Sequence, residues 1–136
     1  MKTTFLPAPL TTTVAIRAPA ASAWELFVDT RRWPDWGPSV ARVECADRCI
    51  GEASHGRVQT VFGLWLSFQV TEFRAGRYWR WRVAGIPATG HRVEAIGPDR
   101  CRVIFEVPAV AAPYLVVCRW AAQRIKNILE RERQPA

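Results

Sequence analysis

Two side chains in this sequence pair polar chemistry with apolar neighbourhoods. His91 opens an alternating β-branched stretch, and Tyr114 begins an apolar stretch of helical period. Either can hydrogen-bond a carbonyl or a hydroxyl. A second set, Cys45-x3-Cys49 followed by His55, has the residue types of a zinc site. Its spacing departs from paired CxxC motifs, and a fourth ligand would have to come from afar. Free cysteines are the preferred reading, and no metal is expected. Asp29, Glu72 and Glu106 supply carboxylates, but spacing alone aims none of them at His91 or Tyr114. Nucleophile motifs, phosphate-binding loops and paired-carboxylate signatures are not recognisable.

The elements that must position these groups follow from periodicity. Leu10–Ala18 alternates and is β-branched, which predicts a strand. Pro19 suits the first turn of a helix in which Trp24, Phe27 and Val28 share a face. Thr30 is the expected N-cap of a helical turn carrying Trp33 and Trp36, three residues apart on one face. Gly37-Pro38 ends that turn. Strands follow at Val40–Cys45, Gly56–Phe62, Leu64–Phe73, Arg77–Ala84, Thr89–Ile96 and Cys101–Val107, with Gly85-Ile86-Pro87 read as a loop. From about Pro113 to Arg131, Tyr114, Cys118, Ala121, Ile125 and Leu129 recur at helical spacing. Consecutive strands on short turns favour an antiparallel sheet, and its apolar face needs the C-terminal helix as cover. The fold class is therefore α+β: about seven curved antiparallel strands in the order β-α-α-β6-α, forming one domain over residues 1–136.

If the alternation holds, Phe62, Leu66, Phe68, Trp79, Trp81, His91 and Phe105 share the covered face with Val58, Thr60, Val93 and Val103. Tyr114, Cys118, Ala121, Ala122 and Ile125 face them from the helix. Ala121-Ala122 allows either close packing or room for a guest, and ligand sites are apolar clefts with few polar anchors. Core packing is the ordinary role for the tryptophans, above all Trp24 and Trp33. Arg57, Arg80, Arg82, Arg92 and Arg102 fall on the opposite face with Glu94 and Glu106, where cross-strand ion pairs at a solvated surface are expected.

The chain has 136 residues, 49% hydrophobic, with a formal charge of +7 and a pI of about 10.1. Its arginines are dispersed rather than blocked, and the sheet's basic face lacks aromatics for base stacking. DNA is not an expected partner. Lys2 is followed by Pro7 and Pro9 rather than an apolar leader segment. The longest apolar run, Val107–Cys118, falls well short of the roughly 20 residues that cross a bilayer. A cytoplasmic location with free thiols is expected, with a weak homodimer left open.

Several residues carry a resemblance to a known family: Ala23-Trp24-Glu25-Leu26-Phe27, Asp29, Trp33, Trp36, Pro38, Val40–Glu44, His91 and the apolar C-terminal helix. In this order they resemble the START-like, polyketide cyclase/dehydrase superfamily (SRPBCC, the helix-grip fold). The resemblance implies a curved sheet wrapped around the long helix, with a cavity for an apolar or aromatic ligand. It also implies a pocket lip at Trp36. With that lip, the alternating face and the helix together give the candidate ligand set Trp36, Phe62, Leu66, Phe68, Trp79, Trp81, His91, Phe105, Tyr114, Cys118 and Ala122. The iron-binding His/His/carboxylate set of the oxygenase members is not recognisable, and no cofactor is expected. Binding of a small hydrophobic ligand is the first functional expectation. The second is a polyketide cyclase/dehydrase with His91 and Tyr114 as proton acceptor and donor. The third is a basic protein that docks on RNA or ribosomes.

Overall fold

The computed structural model describes residues 8–132. Lys2 and Pro7, used above in the reading of the N-terminus, lie outside them. The elements are β1 (Leu10–Ile16), α1 (Ala20–Val28), α2 (Trp33–Trp36), β2 (Val40–Cys45), β3 (His55–Thr60), β4 (Trp65–Arg74), β5 (Tyr78–Val83), β6 (Ile86–Gly97), β7 (Arg100–Val107) and α3 (Leu115–Glu132). Single 3-10 segments precede α2, at Thr30–Arg32, and α3, at Ala109–Tyr114.

The seven strands form one antiparallel sheet in the order β1-β7-β6-β5-β4-β3-β2. Register shifts interrupt it at Val40/Arg42, Val70/Glu72, Arg80/Arg82 and Ala95/Gly97. Each extra residue bends its strand and increases the local twist, so the sheet curls. The long α3 packs on β1, β7, α1 and α2. Cys118, Ala121, Ala122, Ile125 and Leu129 are its buried side, as the spacing predicts.

The joint after α1 is held by the two tryptophans. Trp33 Nε1 donates to the Phe27 carbonyl and Trp36 Nε1 to the Leu26 carbonyl, both at 2.9 Å. The last carbonyls of a helix lack intrahelical partners, and here two indoles satisfy them. Trp33 then stacks on Trp79 with centroids 5.5 Å apart and planes at 7°. The spacing of Trp33 and Trp36 thus fixes α1, the following turn and the sheet to one another.

Several local expectations are corrected. β1 stops at Ile16 rather than Ala18, and Pro19 is the N-cap of α1 rather than part of its first turn. Thr30 does not cap α2, whose N-cap is Arg32; Asp29 caps the 3-10 segment before it, its carboxylate accepting from the Arg31 amide at 3.0 Å. Thr30 instead donates its hydroxyl to the Arg48 carbonyl at 2.8 Å, tying down the 46–54 connection. Gly85-Ile86-Pro87 is not a loop. Ala84 and Gly85 both have positive φ, 52° and 75°, the signature of a two-residue hairpin turn, and β6 starts at Ile86. Phe62 does not face the helix. β3 ends at Thr60, so strand alternation no longer governs the side chain two residues on, and Phe62 is 94% exposed.

The outer sheet face behaves as the charge pattern predicts. Arg57 pairs with Glu44, Arg80 and Arg92 with Glu106, and Arg102 with Glu94. Tyr78 is buried there and donates to Glu106 at 2.8 Å, with the Arg92 guanidinium over its ring. Gly90 makes this possible, because a Cβ at that position would stand 2.6 Å from the Tyr78 hydroxyl.

Candidate ligand-binding site

A cavity of about 420 Å³ lies between one end of the sheet and the segment leading into α3. That volume falls within the range of small-molecule sites. β3 and β4 contribute Val58, Thr60 and Leu66; β5 and β6 contribute Trp81, Val83 and Thr89; the 3-10 segment contributes Ala111 and Tyr114. A second cavity of about 40 Å³ lies deeper, against Trp36, Trp79, His91, Phe105, Cys118 and Ala121. The two share Ser39, Val40, Trp81, Thr89 and Tyr114 as common wall. Among the described residues neither wall contains a carboxylate, an ammonium or a guanidinium.

The polar groups on the shared wall are organised. Ser39 Oγ and Tyr114 Oη lie 2.7 Å apart. Two hydroxyls carry two protons, and one hydrogen bond uses only one of them. The pair therefore keeps an O–H to donate, from whichever residue accepts in that bond. Burial raises the Tyr114 phenol above its usual range, so it stays protonated through neutral pH. Tyr114 is 39% exposed, and its hydroxyl meets Ser39, with which it lines both cavities.

A directed hydrogen-bond chain runs beside this pair. The Trp79 carbonyl, which can only accept, lies 3.2 Å from His91 Nδ1. That nitrogen must therefore carry the proton, and His91 Nε2 must be the acceptor. Thr89 Oγ1, 2.9 Å away, donates to it. Trp81 Nε1 in turn donates to Thr89 Oγ1 at 3.0 Å. His91 also stacks on Trp79, with centroids 3.8 Å apart, and meets Phe27 and Phe105 edge-on. Trp79, His91 and Phe105 are direct cross-strand partners on β5, β6 and β7, which is how the sheet builds this row. Burial lowers the His91 imidazole to about 3, because a charge there would be stranded among aromatic rings. Trp79 Nε1 is buried with no hydrogen-bond partner among the described residues.

The fold has counterparts among known proteins. A model of the family described as "Polyketide cyclase / dehydrase and lipid transport" matches residues 7–134.

The chain belongs to that family.

No curated protein matches it in sequence. Solved structures share the fold at low identity. XoxI from Bacillus cereus superposes with a TM-score of 0.74 at 12% identity, covering 95% of this chain and 100% of that one. The di-domain ARO/CYC BexL of the BE-7585A biosynthetic pathway gives 0.70 at 15% identity, over 93% of this chain and 48% of BexL. Norcoclaurine synthase from Thalictrum flavum, in complex with dopamine and hydroxybenzaldehyde, gives 0.59 at 12% identity, over 94% and 91%.

In this member of the polyketide cyclase/dehydrase and lipid-transport family, the residues singled out in sequence separate into three groups. Leu66, Trp81 and Tyr114 line the large cavity, and Trp36, Trp79, His91, Phe105 and Cys118 line the small one. Phe68 and Ala122 are buried but line neither: Phe68 packs on Trp33 and Trp81. Phe62 stands in solvent. Ser39 and Thr89 were missed, as were the wall positions Ala84, Ile86, Pro87, Ala88, Pro108 and Ala111. The clue to Thr89 was its i, i+2 relation to His91, which puts both on one strand face. Nothing local pointed to Ser39, whose partner is 75 residues away. Among the described residues no group of three or more His, Cys, Asp or Glu side chains is gathered to hold a metal. The Cys45 thiol donates to the His55 carbonyl. No helix of the described residues is long and apolar enough to cross a membrane.

Proposed function

We propose that this protein binds a neutral, largely apolar molecule carrying one hydrogen-bonding oxygen, non-covalently, in the 420 Å³ cavity. The observation that carries the reading is the wall itself: apolar, without a charged side chain, and ending at the Ser39–Tyr114 hydroxyl pair with its spare proton. A ketone, phenol or alcohol oxygen satisfies that donor. An ionised carboxylate would leave water without a cation to meet it, which is costly. Trp79 lines the small cavity, and its Nε1, a buried donor with no partner among the described residues, is the second group an acceptor reaching inward would engage.

The family supports a second reading, acid–base cyclisation or dehydration of a polyketone. It would use Tyr114 as donor and His91 as acceptor. The hydrogen bonding favours binding over this chemistry. The basic nitrogen of His91 already accepts from Thr89, and its protonation is suppressed by burial. In the binding reading, His91 holds the Thr89 hydroxyl in place on the cavity wall.

Native mass spectrometry of the protein purified from its source tests the first reading. A neutral adduct of small-molecule mass, lost on partial unfolding, supports it. An empty protein that also fails to take up the neutral dye Nile red rejects it. For the second reading, His91→Ala should abolish turnover of a polyketone while the protein remains folded; unchanged turnover removes it.

A further inference from the structure

The two ends of the sheet carry opposite turn chemistry. At the cavity end, the β3–β4 turn is Val61-Phe62-Gly63-Leu64, the β5–β6 turn is Ala84-Gly85 followed by Ile86, and the link into α3 is Pro108–Pro113. None of these contains a charged residue. Phe62 and Val110 are 94% and 93% exposed, and Leu64 and Ile86 are also exposed. At the other end, the connections carry Asp47, Arg48, Glu52, Arg77 and Asp99. Antiparallel order puts the three apolar turns side by side, around the cavity that Ala84, Ile86, Pro108 and Ala111 help to line. Exposed apolar residues gathered at one place mark an interaction site.

A basic set stands just behind this rim. Arg42 lies opposite Gln59, one residue before β3 ends; Arg82 lies opposite Pro87; Arg119 is in the second turn of α3. All three are exposed, and none makes an ion pair among the described residues, unlike Arg57, Arg80, Arg92 and Arg102.

We propose that this end of the protein docks on an anionic lipid bilayer. Phe62, Ile86 and Val110 enter the boundary between headgroups and acyl chains, while Arg42, Arg82 and Arg119 meet lipid phosphates. An apolar rim backed by basic residues is the pattern of an interfacial membrane binder. The net charge of +7 draws the protein towards such a surface. A second copy is the poorer occupant, because a twofold contact through this end would set the same unpaired arginines against themselves. Docking opens the cavity mouth onto an apolar phase, so that a ligand need not cross water. That last consequence rests on the binding reading above; the docking itself does not.

Co-flotation of the full chain with phosphatidylcholine–phosphatidylglycerol vesicles tests the proposal, with pure phosphatidylcholine vesicles beside them. The protein should float with the anionic vesicles, and far less with the neutral ones. Phe62→Ser/Val110→Ser should weaken binding at least ~10-fold, while Nile red uptake in vesicle-free solution stays unchanged. Arg42→Gln/Arg82→Gln/Arg119→Gln should lose roughly fivefold for each arginine. Arg77→Gln/Arg100→Gln, at the far end, should retain binding. Three results would overturn the proposal: no flotation, equal loss in the far-end variant, or a concentration-dependent dimer that Phe62→Ser abolishes. Failure of Nile red uptake alone would count against the cavity ligand and leave the docking intact.

Discussion

Thr89 donates its hydroxyl proton to Nε2 of His91 across 2.9 Å, and the Trp79 carbonyl on the other side of the ring fixes that direction. The imidazole is thereby held neutral, with both nitrogens engaged and aromatic rings around it. A histidine that reads in sequence as a candidate base is, in the fold, the anchor of a cavity-wall hydroxyl.

This arrangement makes stability depend on pH in a definite window. The folded His91 titrates near 3, against about 6.5 in the unfolded chain. Between those values the unfolded state binds the proton and the folded state does not. Stability contributed by neutral His91 is therefore complete above about pH 6.5. It falls as pH drops, with a slope approaching about 1.4 kcal/mol per pH unit. Glu130, which accepts from Lys126 at 2.7 Å and is held down to about 2, adds its loss only below about 4.5. Urea titrations from pH 7 to pH 5 isolate the histidine. His91→Gln should flatten that interval, and an unaltered slope in the variant would contradict the assignment.

Tyr114→Phe removes one of the two paired hydroxyls and leaves Ser39 without its 2.7 Å partner. Dodecanol should bind about 3- to 10-fold more weakly to this variant. Dodecane, which has no oxygen, should bind as before. Competition against Nile red reads both. Equal weakening for the two ligands would mean that the ring matters only as packing.

Gly90 lies beneath the Tyr78–Glu106 pair on the outer sheet face. Gly90→Ala would bring a methyl group within 2.6 Å of the Tyr78 hydroxyl and 2.8 Å of a Glu106 oxygen. Tyr78 is buried and packed under Arg92, so it has little room to retreat. A loss of about 1–3 kcal/mol is expected by thermal or chemical denaturation, with Nile red uptake preserved because the cavity is on the other side of the sheet. A stability change near zero would show that the cluster relaxes freely.

What the sequence disclosed and what it hid follow from range of interaction. Strand parity and helical spacing are local, so the sheet, the buried side of α3 and the inward row Trp79–His91–Phe105 were legible. Parity fails wherever a strand ends early. Phe62 was carried inward by an alternation that β3 abandons at Thr60, and Gly85-Ile86-Pro87 looked like a loop because two of its three residues commonly break strands. The hydroxyl pair on the cavity wall was not legible at all. Ser39 follows α2 and Tyr114 precedes α3, and only the closed fold brings them together. Thr89 was read as an ordinary β-branched strand residue, although its spacing from His91 carried the hint.

The central claim is that the cavity accepts a neutral oxygen and refuses an anionic one. Dissociation constants for dodecanol and dodecanoate, measured by Nile red displacement above pH 7 at physiological ionic strength, test it most directly. Dodecanol should bind at least ~10-fold more tightly, even though a chain of net charge +7 favours the anion at long range. Equal or tighter binding of dodecanoate would contradict it.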